Sequence, residues 1–592
     1  MPPFGLPRRY WLVLGQLAAL VALYLVFSTY FAASGISLGS WTPAWLQNKP
    51  QHGQHDFRVL EGLLAVNETA HARHPILDLI ERAQAAWDKK LARQSKTLRD
   101  ACREYERRYH RRPPKGFDVW WKWTRQHDVL LPDEYDQIHA DIELFWAVAP
   151  GELQESQLHW EEMMDTFTIG KVADDEPFDI LNLNLSPGVE ESGHARVLLQ
   201  IDLMAPVQDL LPAFRATYTA HDGPFLVVAH ETAEEARERI DLGTYIDFSK
   251  FGRQPALWAS ECHPSAPLHK FNASERYHDL DALLNRRPKT FIFDHKRSMD
   301  PCYAPTHIHL SGYLANHIWA PVPRREFLPV FTQSKTTLHA DILAVPTEGM
   351  TDAEDDLPWA QKLDNRMLWR GSTTGMLHAP HTSWNMSQRL RFVELTNRKH
   401  GKIAILPSPE NADEDVGELQ EWDFATLNEA YMNVAFTRAH QCSEDSICED
   451  IKKQYRMGEA IYAKEAKKYK YVADIDGNGW SSRFRRLMLT NSMVLKSTIF
   501  PEWWTDRAME WVHFVPINVD YSDLYDVLAF FRGTPDGKGS HDDLAETIAT
   551  AGRTWAERFW RTDDEIAYMW RLYLEYARVT STDRAAMDFV HA

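Results

Sequence analysis

The run Asp474-Ile-Asp476-Gly-Asn478-Gly479-Trp-Ser481-Ser482-Arg483 gathers carboxylates, an amide, glycines, hydroxyls and a guanidinium in one short stretch. Tyr469, Tyr471, Val472 and Ala473 before it are β-prone, and Phe484, Leu487 and Met488 after it recur at helical spacing. Met493 to Leu495 then resume as a short buried strand, so 468–496 reads as strand, tight loop, helix, strand. A glycine-rich turn entering a helix N-terminus presents unpaired N–H groups and the positive end of the dipole. Ser481 or Ser482 is expected to cap that helix. Arg483 falls in its first turn, where a cation gains nothing from the dipole, and this points to an anionic partner such as a diphosphate. Two other readings stay open. Asp474, Asp476, Asn478 and Gly479 fit positions 1, 3, 5 and 6 of a calcium loop, but Arg485 stands where position 12 requires a bidentate glutamate. The stretch also serves as a plain turn between a strand and a helix. Asp474-Ile-Asp476 further spells an Asp-X-Asp pair, whose two carboxylates suit manganese.

Two further segments carry chemistry. His221-Asp222-Gly223-Pro224 follows the β-prone run Phe214–Ala220 and puts a carboxylate where a strand ends. From the residues alone, an Asp-Gly-Pro turn explains it as simply. Trp369-Arg370-Gly371-Ser372-Thr373-Thr-Gly375 ends a strand-like Met367-Leu-Trp with amides and hydroxyls suited to phosphate oxygens, Arg370 neutralising charge, or it is an ordinary loop. Glu502 offers a carboxylate to ribose hydroxyls, or is an exposed acid. No cysteine and histidine cluster of zinc type is present, and His307 and His309 are read as alternate strand positions.

Tyr471-Val-Ala-Asp-Ile-Asp-Gly-Asn-Gly-Trp-Ser-Ser-Arg-Phe484 and Leu495-Lys-Ser-Thr-Ile-Phe-Pro-Glu-Trp-Trp504 together resemble the signature of glycosyltransferase family 90, which includes fungal capsule-associated proteins, fungal xylosyltransferases and animal protein O-glucosyltransferases. Tyr109-His-Arg-Arg-Pro-Pro-Lys-Gly-Phe-Asp-Val-Trp-Trp121, His221–Pro224 and Trp369–Gly375 resemble it too, so the likeness runs from about residue 100 to the C-terminus, with the fungal branch nearest. The resemblance implies a GT-B-like α/β fold, two Rossmann-like domains facing a cleft. It implies inverting transfer from a UDP-sugar, xylose before glucose, to a hydroxyl of a glycan, glycolipid or glycoprotein. Asp222 would be the general base. The donor would be held by Arg370, Gly371, Ser372 and Thr373, by Asp476, Asn478, Gly479, Ser481, Ser482 and Arg483, and by Glu502. No metal is expected to be obligatory, because protein cations and helix ends do that work in such folds; stimulation by Mn2+ is compatible with this. The competing class is an inactive, membrane-tethered carbohydrate-binding protein of the same fold.

The rest of the chain must position these groups. Its 592 residues, 44% hydrophobic and 25% charged, suffice for more than one core. A net charge of −19 argues against nucleic acid as a partner. Arg8 and Arg9 precede an uncharged run from Tyr10 to Ala33, long enough to cross a bilayer. The positive-inside rule then leaves residues 1–9 in the cytosol and the bulk in the lumen. The expectation is a single-pass type II protein of the Golgi membrane, or of the endoplasmic reticulum. Residues 34–54 read as a stem, 55–149 as a helical extension, 150–346 as the acceptor-side α/β domain, 347–541 as the nucleotide-sugar-binding α/β domain and 542–592 as C-terminal helices, with an acidic linker at 347–358. Asn67, Asn184, Asn272 and Asn385 head glycosylation sequons. In an oxidising lumen Cys442 can pair with Cys448 and Cys262 with Cys302, leaving Cys102. Strands are expected at 196–201, 225–229, 290–294 and 403–406, and a helix pattern opens at Leu60, Leu63 and Leu64.

Overall fold

The computed structural model describes residues 55–590 apart from 69–71, 253–256, 272–279, 317–325, 347–354, 412, 413 and 417. The anchor at 10–33, its flanks at 1–9 and 34–54, most of the acidic linker and the sequons at Asn67–Thr69 and Asn272–Ser274 lie wholly or partly outside these residues. Among the described residues no helix is long and apolar enough to cross a membrane.

The fold is mixed α/β with parallel pairing in both of its large sheets. The first is built from β1 (Thr166–Lys171), β2 (Asp179–Asn184), β3 (Phe214–Thr219), β4 (Val330–Thr332) and β5 (Ile342–Leu343), in spatial order β2-β1-β3-β4-β5. β3 runs antiparallel to β1 and parallel to β4. The second sheet contains β6 (Asp364–Ser372), β7 (Met432–Arg438), β8 (Tyr469–Ile475), β9 (Met493–Ser497) and β10 (Val515–Pro516), in order β7-β6-β8-β9-β10 and parallel throughout. Parallel strands are covered on both faces, so β8 and β9 are almost wholly buried and read as apolar runs rather than alternations.

Five helices matter for the site and its frame: α1 (Glu190–Met204), α2 (Gln388–Leu395), α3 (Phe484–Met488), α4 (Asp542–Phe559) and α5 (Thr562–Thr580). The last two are the expected C-terminal helices. α4 lies on β9 and α3, whereas α5 lies against α1 and β3. α5 is buried along nearly its whole length, which its apolar Trp570, Leu572 and Leu574 require. Tyr573 on it shares a 2.7 Å hydroxyl bond with Tyr218 of β3, and Tyr568 donates to Leu343 O. The C-terminal segment is thereby part of the first sheet's core. Both expected disulfides, Cys262–Cys302 and Cys442–Cys448, are formed, and Cys102 is free and buried.

Several sequence expectations differ from the structure. Residues 196–201 are in helix α1, not a strand. Gly193, Arg196, Val197, Gln200 and Leu203 face inward at helical spacing while Leu198 and Leu199 are exposed. Residues 225–229 are buried but join no ladder, because the Asp341 carboxylate accepts the Phe225 and Leu226 amides at 2.8 Å each. Leu63 and Leu64 belong to a hairpin of Asp56–Arg58 with Leu63–Ala65, to which Thr290–Ile292 adds a strand. The helical pattern starts only at Pro75 and breaks at 93–97. His307 and His309 lie in a helical turn, His307–Leu310. Lys402–Ile405 is a strand, but it pairs with Gln420–Asp423 outside the large sheets.

Candidate active site

The chain leaves β3 at Thr219 and reaches Asp222 at the carboxyl end of the strand, beside the boundary where pairing changes from antiparallel to parallel. Crevices at such switch points are where α/β sheets bind ligands. Both oxygens of Asp222 are engaged: Arg196 Nη2 of α1 donates to Oδ1 at 2.5 Å, and Asn478 Nδ2 donates to Oδ2 at 3.0 Å. Asp222 remains 36% exposed, facing a cleft of about 600 Å³. That cleft is lined by Arg196, Asp222 and Tyr313 from the first half of the chain and by Gly375, Gln441 and Asn478 from the second. His221 turns aside to Asp165, with Nε2 3.1 Å from Oδ2.

Three motifs far apart in sequence therefore meet here. Asn478 donates to Asp222 and accepts from the Gly375 amide at 2.9 Å. Gly479 passes so close that a Cβ would stand 2.5 Å from both Asp222 O and Ser334 Oγ. Only a residue without a side chain allows that approach. Thr373 is held by His440, whose amide donates to Thr373 Oγ1 at 2.8 Å, and Ser372 Oγ lies 3.2 Å from Thr374 Oγ1. Gln441, which precedes the Cys442–Cys448 loop, accepts the Gly375 amide on its Oε1 at 3.2 Å.

The arginines take a different position from the one expected. Arg370 turns away from the cleft and grips Asn433 O at 2.7 Å and Asn433 Oδ1 at 2.8 Å. Arg483 donates to Arg370 O at 2.7 Å, lies 3.8 Å from Asp474 Oδ1 and stacks over Trp369. Both line a smaller cavity of about 150 Å³ behind β6 and β8 rather than the Asp222 cleft. Burial lowers the pKa of each guanidinium. Gly371 leaves room for Arg483 beside Trp369, since a Cβ there would meet the Trp369 ring at 2.7 Å and Arg483 Nη2 at 3.2 Å. The expected serine cap is absent. Helix α3 is five residues long with Arg483 at its N-cap position, Ser481 Oγ is spent on Asp474 Oδ1, and Ser482 is exposed.

Beneath the loop is a buried charge cluster. Asp474 and Lys496 are paired residues of β8 and β9, with Lys496 Nζ 2.9 Å from Asp474 Oδ2. Both Asp474 oxygens are thus occupied, by Ser481 and by Lys496. Glu502 is only 2% exposed, its Oε1 3.6 Å from Lys496 Nζ. Burial opposes charge on Lys496, but Asp474, Glu502 and Asp476 outweigh it and raise its pKa. Burial pushes the Glu502 and Asp476 carboxyls up to about 7. Asp476 Oδ2 accepts the Ile499 amide at 3.0 Å, whereas Oδ1 is buried without a hydrogen-bond partner among the described residues. No group of three or more histidine, cysteine or carboxylate side chains placed to hold a metal ion occurs among the described residues.

Four side chains outside the expected set organise these loops. Arg389 donates to Asp476 O at 2.8 Å, Ile475 O at 3.2 Å, Ser372 O at 3.1 Å and Thr374 Oγ1 at 2.6 Å, so one guanidinium ties the ends of β6 and β8 together. Burial and the neighbouring Arg483 lower its pKa to about 9. Gln388 accepts the Gly312 amide at 2.7 Å and donates to Gly477 O at 3.1 Å. Arg196 and Lys496 complete the set. Arg389 had a signal in the sequence, since a cation in the first turn of a helix opposes the dipole, as for Arg483.

The profile of Glycosyl transferase family 90 matches residues 421–588. Among curated proteins the chain is 31% identical over 115 residues to Protein O-glucosyltransferase 1 of Rattus norvegicus, covering 19% of this chain and 28% of that protein. It is 30% identical over 122 residues to Protein O-glucosyltransferase 2 of Danio rerio, covering 20% and 23%. It is 26% identical over 110 residues to O-glucosyltransferase LpsA of Dichelobacter nodosus, covering 18% and 32%. The matched part thus spans between about a quarter and a third of these relatives' length. With β8, the 476–483 loop and the buried cluster all inside the matched region, the chain carries a glycosyl transferase family 90 domain.

Proposed function

We propose that this protein is an inverting, UDP-sugar-dependent glycosyltransferase of GT-B-like architecture in which Asp222 is the general base. The observation that carries the proposal is the meeting of the Asp222 carboxylate with the family-90 loop at Asn478 across an open cleft. In the reaction an acceptor hydroxyl oxygen forms a bond to the anomeric carbon while the bond from that carbon to the diphosphate breaks. The hydroxyl proton passes to Asp222, and UDP leaves as the anion. The Ser372 and Ser482 hydroxyls and the backbone amides of the 476–483 loop would hold the diphosphate. Arg483 supplies charge at the edge of that surface. The occupation of Asp474 by Ser481 and Lys496 supports a reaction in which manganese is not obligatory, although it leaves stimulation by the metal open.

The donor in this proposal is UDP-xylose or UDP-glucose. The fungal likeness of the motifs favours the first and the names of the relatives favour the second. The acceptor is a hydroxyl of a glycan, glycolipid or glycoprotein in the secretory pathway, reached from a Golgi membrane anchor at 10–33. The test is release of UDP from a panel of UDP-sugars by the purified protein, with the anomeric configuration of the product read by NMR. Turnover of one donor with inversion is expected. Binding of UDP-sugars without any turnover would instead support an inactive carbohydrate-binding protein. Protease treatment of sealed vesicles tests the topology, and digestion of the bulk without detergent would refute it.

A further inference from the structure

The 477–480 loop meets Asp222 in three ways. Asn478 Nδ2 donates to Asp222 Oδ2 at 3.0 Å. Gly479 packs against Asp222 O, where Ser334 Oγ donates at 2.8 Å. The Trp480 ring lies 5.5 Å from the guanidinium carbon of Arg196, which holds the other oxygen of the carboxylate. Arg196 is itself fixed by a bond from Nη1 to Ala220 O. A carboxylate held at both oxygens by donors on opposite sides has its rotation about the side-chain bond fixed.

We propose that Asn478, expected from its place in the loop to bind the donor, is a positioning residue for Asp222, acting with Arg196 as a two-point clasp that aims the carboxylate into the cleft. This rests on the reading of Asp222 as the base. The loop that bears the donor surface thereby also sets the base, so the geometry of proton acceptance depends on the loop's own placement. In this pose the Asn478 oxygen accepts the Gly375 amide at 2.9 Å and one of the two N–H groups on its nitrogen serves Asp222, so the side chain bridges the two loops. The charged and titratable groups facing Asp222 are Arg196 from α1, the adjacent His221 with its partner Asp165, and Tyr313, whose hydroxyl donates to Pro224 O.

The experiment measures UDP affinity by calorimetry and kcat for hydrolysis of UDP-xylose and UDP-glucose, water standing in for the acceptor. The variants are Asn478→Ala, Asn478→Asp, Arg196→Gln and Asp222→Asn. Asn478→Asp keeps the size of the side chain and the acceptor for Gly375 but replaces the donor to Asp222 by a second carboxylate. Expected for both Asn478 variants and for Arg196→Gln is a kcat at saturating donor lower by about tenfold or more, because a charge-assisted bond is lost. Asn478→Ala and Arg196→Gln should keep UDP affinity within about threefold of wild type. Loss of UDP affinity in Asn478→Ala with an unchanged kcat would make Asn478 a donor ligand and overturn the proposal, as would a wild-type kcat in every soluble variant of Asn478 and Arg196. If Asp222→Asn keeps wild-type kcat, the base assignment itself fails. If it is inactive while the Asn478 variants behave as wild type, only the positioning role fails.

Discussion

Asp474 and Lys496 stand opposite each other on neighbouring parallel strands and form a 2.9 Å ion pair with no exposure of either side chain. The register of β8 on β9 enforces the pairing, and Glu502 closes the other side of the ammonium. A buried pair of this kind is weak evidence for stability as a whole, but removing one partner strands the other charge. Lys496→Met is expected to cost about 3–5 kcal/mol, measured as a lower midpoint of denaturant unfolding. A loss under about 1 kcal/mol would show that the carboxylates are held neutral without the lysine.

Glu502 makes the stability of the fold depend on pH. Burial raises its folded-state pKa to about 7, above its ordinary value, so the folded protein binds the extra proton. Stability from this group is therefore lost, not gained, as pH rises from its unfolded pKa to about 7. Glu502→Gln removes the titration. The stability difference between variant and wild type should shift in the variant's favour between acid and neutral pH by up to roughly 3 kcal/mol. Parallel unfolding curves at matched pH values check it. A difference independent of pH would contradict the buried, raised carboxyl.

Arg389 and Arg483 make contrasting predictions. Arg389 bonds four oxygens, at the ends of β6 and β8, and a lysine cannot reproduce that fork. Arg389→Lys should lower both the melting temperature and kcat, the latter by about tenfold or more. Arg483 has a single strong bond, to Arg370 O, and a longer approach to Asp474. Arg483→Lys should keep most of the stability but lose about ten- to a hundredfold in kcat/KM, if its charge serves the leaving diphosphate. Melting of Arg483→Ala with and without UDP separates the roles. A much lower melting point with an undiminished UDP-induced rise would make Arg483 structural.

Much of the site was legible because its signals are local. The apolar run before Asp474, the glycines at 477 and 479 and the helical spacing after Arg483 state strand, loop and helix within one window, and the structure has them. The disulfides followed from proximity and from what remained to pair. Contacts between distant segments were not legible. Arg196 opens Arg196-Val-Leu-Leu-Gln-Ile201, whose apolar run fits a buried strand or one helix face, and only packing against β1 and β2 decides for the helix. The destination of Arg370 was equally hidden, because whether its guanidinium faces the cleft or Asn433 depends on the β6–β7 register. Lys496 carried an unused signal, since a lysine inside an apolar strand implies a buried counter-charge.

Single-turnover reaction of Asp222→Asn with its preferred UDP-sugar, beside calorimetry with UDP, tests whether Asp222 accepts the proton. Asparagine keeps the size of the side chain and an oxygen for Arg196 or Asn478, so the cleft should be preserved. With Asp222 as the base, UDP affinity should stay within about threefold of wild type and the chemical rate should fall by about a hundredfold or more, the contribution typical of a general base. A rate within a few-fold of wild type, with UDP bound as before, would contradict it.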